Sequence, residues 1–125
     1  MIRSVLYVAI GSLIGGVGRF LMQQYVQKKF FSAFPYGTLS VNLLGCFIIG
    51  MVYGLSNKGD ILSPQARIFL ATGICGGFTT FSSFIYENYS MLQDGEILNT
   101  FTYTFASLLV GLVATFLGIL LIKYI

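Results

Sequence analysis

Residues 73–84 read GICGGFTTFSSF and lie in the middle of a long apolar interval of the sequence. The three glycines, the paired β-branched threonines and the adjacent serines all disfavour a continuous helix. A membrane tolerates loose backbone only where it is buried in protein, coordinates an ion or faces water. We therefore predict a helix that is broken in mid-membrane. Carbonyl oxygens converging from such breaks suit a hard cation such as Na⁺.

Four apolar intervals are long enough to cross a bilayer, which takes roughly 20 helical residues. Residues 73–84 lie in the third of these intervals. The first, third and fourth cover about residues 4–25, 64–86 and 97–122, and the second lies within residues 30–57 and starts after the turn signal at 35–37. Short polar links join them at 27–29, 57–60 and 93–96. Because backbone groups in lipid need internal partners and four strands cannot close a barrel, each interval must be a helix. The first lacks a signal-peptide cleavage pattern and is expected to be retained. The sequence predicts an all-α membrane protein with one four-helix transmembrane domain over residues 1–125.

The composition excludes several classes of protein. Of 125 residues, 56% are hydrophobic and 9% are charged, against roughly 25% charged residues in soluble domains. The formal charge of +3 is thinly spread, which is typical of a protein at a membrane surface and not of a nucleic-acid-binding protein. There is no His, and Cys46 and Cys75 lie apart in apolar stretches. A metal cluster, a dithiol centre or an enzyme active site is therefore not expected.

The distribution of positive charge barely favours either orientation in the membrane. Four spans place both termini on one side, and an excess of Lys and Arg normally marks the cytoplasmic side. Of the seven Lys and Arg, four lie on the side of the termini and three on the other, namely Arg3, Lys58, Arg67 and Lys123 against Arg19, Lys28 and Lys29. Either the chain inserts both ways round and pairs with its inverted copy, or it has one weakly determined orientation.

Small and hydroxyl residues line one face of the fourth span at spacings of three and four. They are Thr100, Thr104, Ser107, Gly111, Thr115 and Gly118. This face is either a packing seam, because small residues let membrane helices approach closely, or a polar track for a solute. A similar stripe of Gly11, Gly15 and Gly18 on the first span favours packing.

Two further polar residues inside the spans have open interpretations. Asn42, in the middle of the second span, must meet a partner on another helix or line a wet path, because an unpaired amide in hydrocarbon is costly. Arg19 is either a functional charge or an anchor that reaches the membrane surface. Phe81 and Phe84 share a helix face after the expected break, and their positive ring edges could solvate a small anion weakly.

Three motifs on three successive spans closely resemble those of the CrcB/Fluc family of fluoride channels. They are GGVGRF at residues 15–20, GTLSVNLLG at 37–45 and GGFTTFSSF at 76–84. The resemblance implies an antiparallel, dual-topology homodimer in the cell membrane with two fluoride pores, surrounded by lipid. It also implies passive export of cytoplasmic fluoride, which gives fluoride resistance.

The resemblance further implies roles for individual residues. The carbonyls of Gly76 and Thr79 from both subunits would hold a structural Na⁺ on the dimer axis. The fluoride pores would be lined by Asn42, Phe81, Ser82, Phe84, Ser107 and Thr115. Tyr103 and Glu87 would also belong to the path, and Arg19 would attract anions at the vestibule. Gly111 stands where some members carry Ser, which interrupts the hydroxyl track.

Two rival functions belong to other classes. A small multidrug-type proton-coupled exporter has a similar size, but it needs an acid embedded in the first span, where this chain has Arg19. Glu87, near the end of the third span, is the only candidate for an acid within the membrane. A purely structural membrane subunit would use the polar stripes for packing alone.

Overall fold

The computed structural model describes every residue of the chain except Asp60, and all regular structure in that part is helical. The elements in chain order are α1 (Ile2–Phe30), α2 (Tyr36–Ser56), α3 (Pro64–Arg67), a π-helix (Ile68–Cys75), α4 (Gly76–Phe78), α5 (Phe81–Gln93) and α6 (Ile97–Lys123). Four stretches are long and apolar enough to cross a membrane, namely Ile2–Phe30, Tyr36–Ser56, Pro64–Gln93 and Ile97–Lys123. The prediction of an all-α protein with four spans is confirmed.

Residues 27–29 were expected to form a polar link, but α1 continues to Phe30 and these residues lie in its last turn. Gln27 stabilises the short connection to α2. Its Nε2 donates to the carbonyl oxygens of Ser32 and Phe34 at 2.8 and 3.0 Å, and its Oε1 accepts from the amide of Gly37 at 2.9 Å. Asp60, in the predicted second link, lies outside the described residues.

The third span is interrupted after α4. Thr79 (φ −97°, ψ 158°) and Thr80 (φ −147°, ψ 122°) are extended, and α5 begins immediately after them. β-branched residues suit this backbone. The Thr80 hydroxyl then caps α5 by accepting from the amide of Ser83 at 3.2 Å, as N-cap threonines commonly do. The predicted break within residues 73–84 is confirmed, and it falls at the two threonines.

Gly73 and Gly77 of the same stretch serve packing against α1, and none of its glycines has the positive φ that a glycine-dependent break would use. Among the described residues, positive φ angles at glycine occur only at Gly59 and Gly95. A Cβ on Gly73 would lie 2.9 Å from the Cα of Gly11, so that α1 and the π-helix meet backbone to backbone. The packing role of the α1 glycines is therefore confirmed at this contact.

The closest approach between these helices occurs at Gly15. A Cβ there would overlap the carbonyl oxygen of Ile74, whereas a Cβ on the neighbouring Gly16 would meet nothing within 4 Å. We expect Gly15→Ala to reduce stability by about 1–3 kcal/mol, because backbone cannot move aside as a side chain can. Gly16→Ala is the matched control; it gains the same helix propensity without the overlap, so it should unfold at or slightly above the temperature of the parent. Thermal unfolding of both variants in one detergent checks the contact, and indistinguishable variants would contradict it.

The small residues of α6 divide between two environments. Toward the C-terminal half, a Cβ on Gly50 or Gly118 would overlap a backbone carbonyl oxygen of the facing helix, so α2 and α6 pack closely there. The Thr115 hydroxyl lies 3.1 Å from the carbonyl oxygens of both Cys46 and Gly111. This half of the stripe is a packing seam. Ser107, nearer the N-terminus, instead lines a cavity beside the break.

Candidate functional site

Asn42 holds the broken backbone of the third span against α2. Its Oδ1 accepts from the amide of Thr80 at 2.8 Å, and its Nδ2 donates to the carbonyl of the same residue at 3.1 Å. One amide side chain thus replaces, for Thr80, both hydrogen bonds that a helix would have supplied. Asn42 therefore meets a partner on another element, as one of its two alternatives required. It also lines the cavity, and its place on a wet path stays a prediction.

At the break, the backbone carbonyls of Gly76 and Thr79 lose the amide partners that a continuous helix would give them. In a continuous helix the carbonyl of Gly76 would accept from Thr80 and that of Thr79 from Ser83. The amide of Thr80 instead donates to Asn42, and the amide of Ser83 donates to the Thr80 hydroxyl. Gly76 and Thr79, the residues expected to hold Na⁺, both line the cavity. Neutral carbonyl oxygens of this kind are hard ligands that suit Na⁺.

The cavity has a volume of about 330 Å³ and lies at the break, between α2, the third span and α6. Six of the predicted site residues line it, namely Asn42, Gly76, Thr79, Phe81, Phe84 and Ser107. The sequence therefore predicted a set of residues that the fold does bring together. The lining also includes both cysteines, Cys46 and Cys75, which the sequence placed in apolar surroundings and which are free thiols.

Hydrogen-bond donors and ring edges are the chemically distinctive groups of this cavity. Phe81 and Phe84 lie with ring centroids 5.9 Å apart at an interplanar angle of 40°. Phe84 is buried, whereas Phe81 is 73% exposed in the single chain. The Oγ of Ser107 is buried and has no hydrogen-bond partner within the described part of the chain. The first turn of α5 adds backbone amides and the positive end of a helix dipole.

The other predicted site residues lie outside the cavity lining, and they are Arg19, Ser82, Glu87, Tyr103 and Thr115. Ser82 is exposed at the start of α5, with its Oγ 3.4 Å from that of Thr80. Thr115 belongs to the seam between α2 and α6. Glu87 and Tyr103 are bonded to each other, since the Tyr103 hydroxyl donates to Oε1 of Glu87 at 2.7 Å.

Arg19 points inward from α1 to the end of α4 and is not free at the surface. Its Nε donates to the carbonyl oxygen of Gly77 at 3.0 Å, and its Nη1 donates to Oε1 of Gln23 at 3.3 Å. A cation at the carbonyl end of a helix is favourable. Arg19 is thus hydrogen-bonded within the fold, and its role as a functional charge stays a prediction.

Sequence reasoning missed Gln23 and Thr38. The Nε2 of Gln23 donates to Oγ1 of Thr38 at 3.0 Å, and the Thr38 hydroxyl donates to Oε2 of Glu87 at 2.6 Å. Thr38 is 2% exposed. The available signal was Gln23 itself, an uncharged polar residue that lies four positions after Arg19 and therefore on the same face of α1.

Comparison with known proteins agrees with these motifs. The profile of the family described as "CrcB-like protein, Camphor Resistance (CrcB)" matches residues 6–119. A Gloeothece citriformis protein is 48% identical over 119 residues, which are 95% of this chain and 96% of that protein. A Chlorobium chlorochromatii protein is 45% identical over 116 residues, with coverages of 93% and 89%. Both are named "Fluoride-specific ion channel FluC". The chain is thus a multi-pass membrane protein, and it belongs to the CrcB-like family over nearly its whole length.

Proposed function

We propose that this protein is a fluoride-selective channel through which cytoplasmic fluoride leaves passively. The observation that carries the proposal is the cavity at the break, which combines an amide, an unpartnered hydroxyl and two phenylalanine rings. Fluoride is small and strongly hydrated, so a selective pore must replace its water with donors. The names of the relatives support the same ion.

The absence of a fixed cation in the cavity lining suits conduction. Neither Lys nor Arg is among the lining residues that the structure describes. An ammonium or guanidinium group there would bind fluoride too tightly for release, whereas neutral donors and ring edges bind it weakly. Asn42 and Ser107 would donate to the ion, and Phe81 and Phe84 would offer their ring edges. The fluoride gradient and the membrane potential would drive the flow.

The proposed assembly is an antiparallel, dual-topology homodimer. The near-equal numbers of positive charges on the two sides support insertion in both orientations. The large exposed fraction of Phe81 in the single chain agrees with a partner subunit completing the pore. In such a dimer the carbonyls of Gly76 and Thr79 from each subunit would hold Na⁺. The ion would offset the dipoles of the carbonyl ends of the two breaks.

Fluoride efflux from liposomes tests the proposal directly. Purified protein is reconstituted into vesicles loaded with potassium fluoride, and valinomycin starts efflux that a fluoride electrode records. We expect fluoride to leave and an equal chloride load to be retained. Efflux of neither ion would overturn the proposal and favour a purely structural subunit. Proton-driven movement of an organic cation would instead identify the exporter.

Removal of Na⁺ tests the structural ion. We expect fluoride flux to be lost, and the dimer to loosen, when N-methyl-D-glucamine replaces Na⁺ during purification and assay. The reason is that the Gly76 and Thr79 carbonyls of two subunits would then face one another without an intervening cation. Light scattering in detergent follows the dimer, and the vesicle assay follows the flux. Full flux and an intact dimer without Na⁺ would contradict the proposed site.

A further inference from the structure

We propose that Gln23 is a positioning residue that connects the Arg19 cation to the Glu87 carboxylate. This inference rests on the proposed function, because the connection ends at the same conduction site. Glu87 also accepts from the Tyr103 hydroxyl, and the Tyr103 ring packs on that of Phe84 with centroids 5.1 Å apart. A residue on α1 can thereby fix the orientation of a ring that lines the cavity.

Hydrogen bonds run from Arg19 through Gln23 and Thr38 to Glu87, and the donors in this run can be oriented in only one way. A guanidinium group only donates hydrogen bonds, so the Gln23 amide must turn its oxygen toward Arg19. The amide nitrogen then faces Thr38 and donates to its hydroxyl oxygen. The Thr38 hydroxyl has one proton, and that proton is directed to Glu87. Every donor from Arg19 onward therefore points toward the carboxylate.

The same run joins Glu87 to Arg19 without a direct ion pair. One carboxylate oxygen accepts from Thr38 at 2.6 Å and the other from Tyr103 at 2.7 Å. Hydrogen bonds to a charged acceptor are stronger than neutral ones, and aligned donors polarise one another. Arg19 is thus linked to Glu87 by hydrogen bonds through one amide and one hydroxyl group.

The far end of the run leads to the cavity. Tyr103 is fully buried, and its hydroxyl is held by Glu87, so its ring has little freedom to rotate. Phe84 packs against that ring and lines the cavity. Loss of the amide at position 23 would leave the Thr38 oxygen without its donor, so that the Thr38 hydroxyl would be held less firmly toward Glu87. The carboxylate, Tyr103 and Phe84 would then lose their common orientation.

Substitution of Gln23 by Met tests the connection, because Met has a similar length and no amide. Gln24→Met is the matched control, since Gln24 is the next residue on α1 and is exposed. Each change is made in the parent and in a Thr38→Val background, where the connection is already cut. Fluoride flux is measured in vesicles. The carboxylate infrared band of Glu87 is assigned by difference from Glu87→Gln.

We expect Gln23→Met to slow fluoride flux in the parent by about tenfold or more, as expected for loss of hydrogen bonds linked to charged groups. It should also shift the Glu87 band. Gln24→Met should do neither, and in the Thr38→Val background Gln23→Met should add no further loss. Should Gln23→Met fail to assemble, Gln23→Leu also lacks the donor to Thr38, adds no carboxylate band, and should show the same band shift.

Two results would overturn the positioning role. One is an unshifted Glu87 band in Gln23→Met, whatever happens to the flux. The other is an equal loss of flux in the parent and in the Thr38→Val background, which would show that Gln23 only fills space. A parent protein that carries no fluoride would refute the proposed function, and the infrared comparison would still decide whether Gln23 orients Glu87.

Discussion

Asn42→Asp is expected to suppress fluoride flux by about a hundredfold, because it removes a donor and adds a half-buried negative charge that repels the anion. The Asp side chain could still accept from the Thr80 amide, but it has no N–H for the Thr80 carbonyl that Asn42 Nδ2 now satisfies at 3.1 Å. Its negative charge would also face the cavity that fluoride is proposed to enter. The vesicle assay measures the loss.

Asn57→Asp provides the control for this substitution. Asn57 is exposed at the end of the same helix, so that the identical chemical change occurs outside the cavity. We expect its flux to equal that of the parent. Size-exclusion chromatography verifies that both variants assemble. Near-normal flux in assembled Asn42→Asp would remove Asn42 from the conduction path.

Replacement of either phenylalanine at the break by isoleucine should slow fluoride flux by about tenfold or more, because the ion loses a ring edge that would replace part of its hydration shell. Isoleucine preserves an apolar side chain but lacks the positive ring edge. The two variants should differ in stability. Phe84 is 7% exposed and packs on Tyr103, whereas Phe81 is 73% exposed in the single chain. Phe84→Ile should therefore also lower the unfolding temperature.

Phe116→Ile is a suitable control for both variants, because Phe116 is an exposed residue of α6 that does not line the cavity. Flux and thermal unfolding are measured together on all three proteins. Loss of flux with retained stability in Phe81→Ile is the most informative outcome, since it separates conduction from packing. Unchanged flux in both Phe81→Ile and Phe84→Ile would refute the role of the rings.

A sequence motif predicts a role for the Arg19 side chain but not the groups that it contacts. Its motif predicted an anion-attracting residue at a vestibule, which stays a prediction. The fold adds that the guanidinium donates to Gly77 and Gln23. Its position on α1 was evident from the sequence, but its partners lie on a different helix or one turn away, and only packing determines which carbonyl it meets.

The number of spans, their order and the region of the break could be predicted from the amino-acid sequence, because hydropathy and backbone propensity act over short stretches of chain. The residues chemically suited to the cavity could be named in the same way. The exact place of the break, at Thr79 and Thr80, depends on helix packing, since the Thr80 backbone finds its replacement partners on Asn42 of another helix. Packing likewise places Gly11, Gly15 and Gly73 at close helix contacts, Thr115 in a seam and Gln23 in the run to Glu87. Each of these depends on how the helices approach one another, and no local pattern encodes that approach.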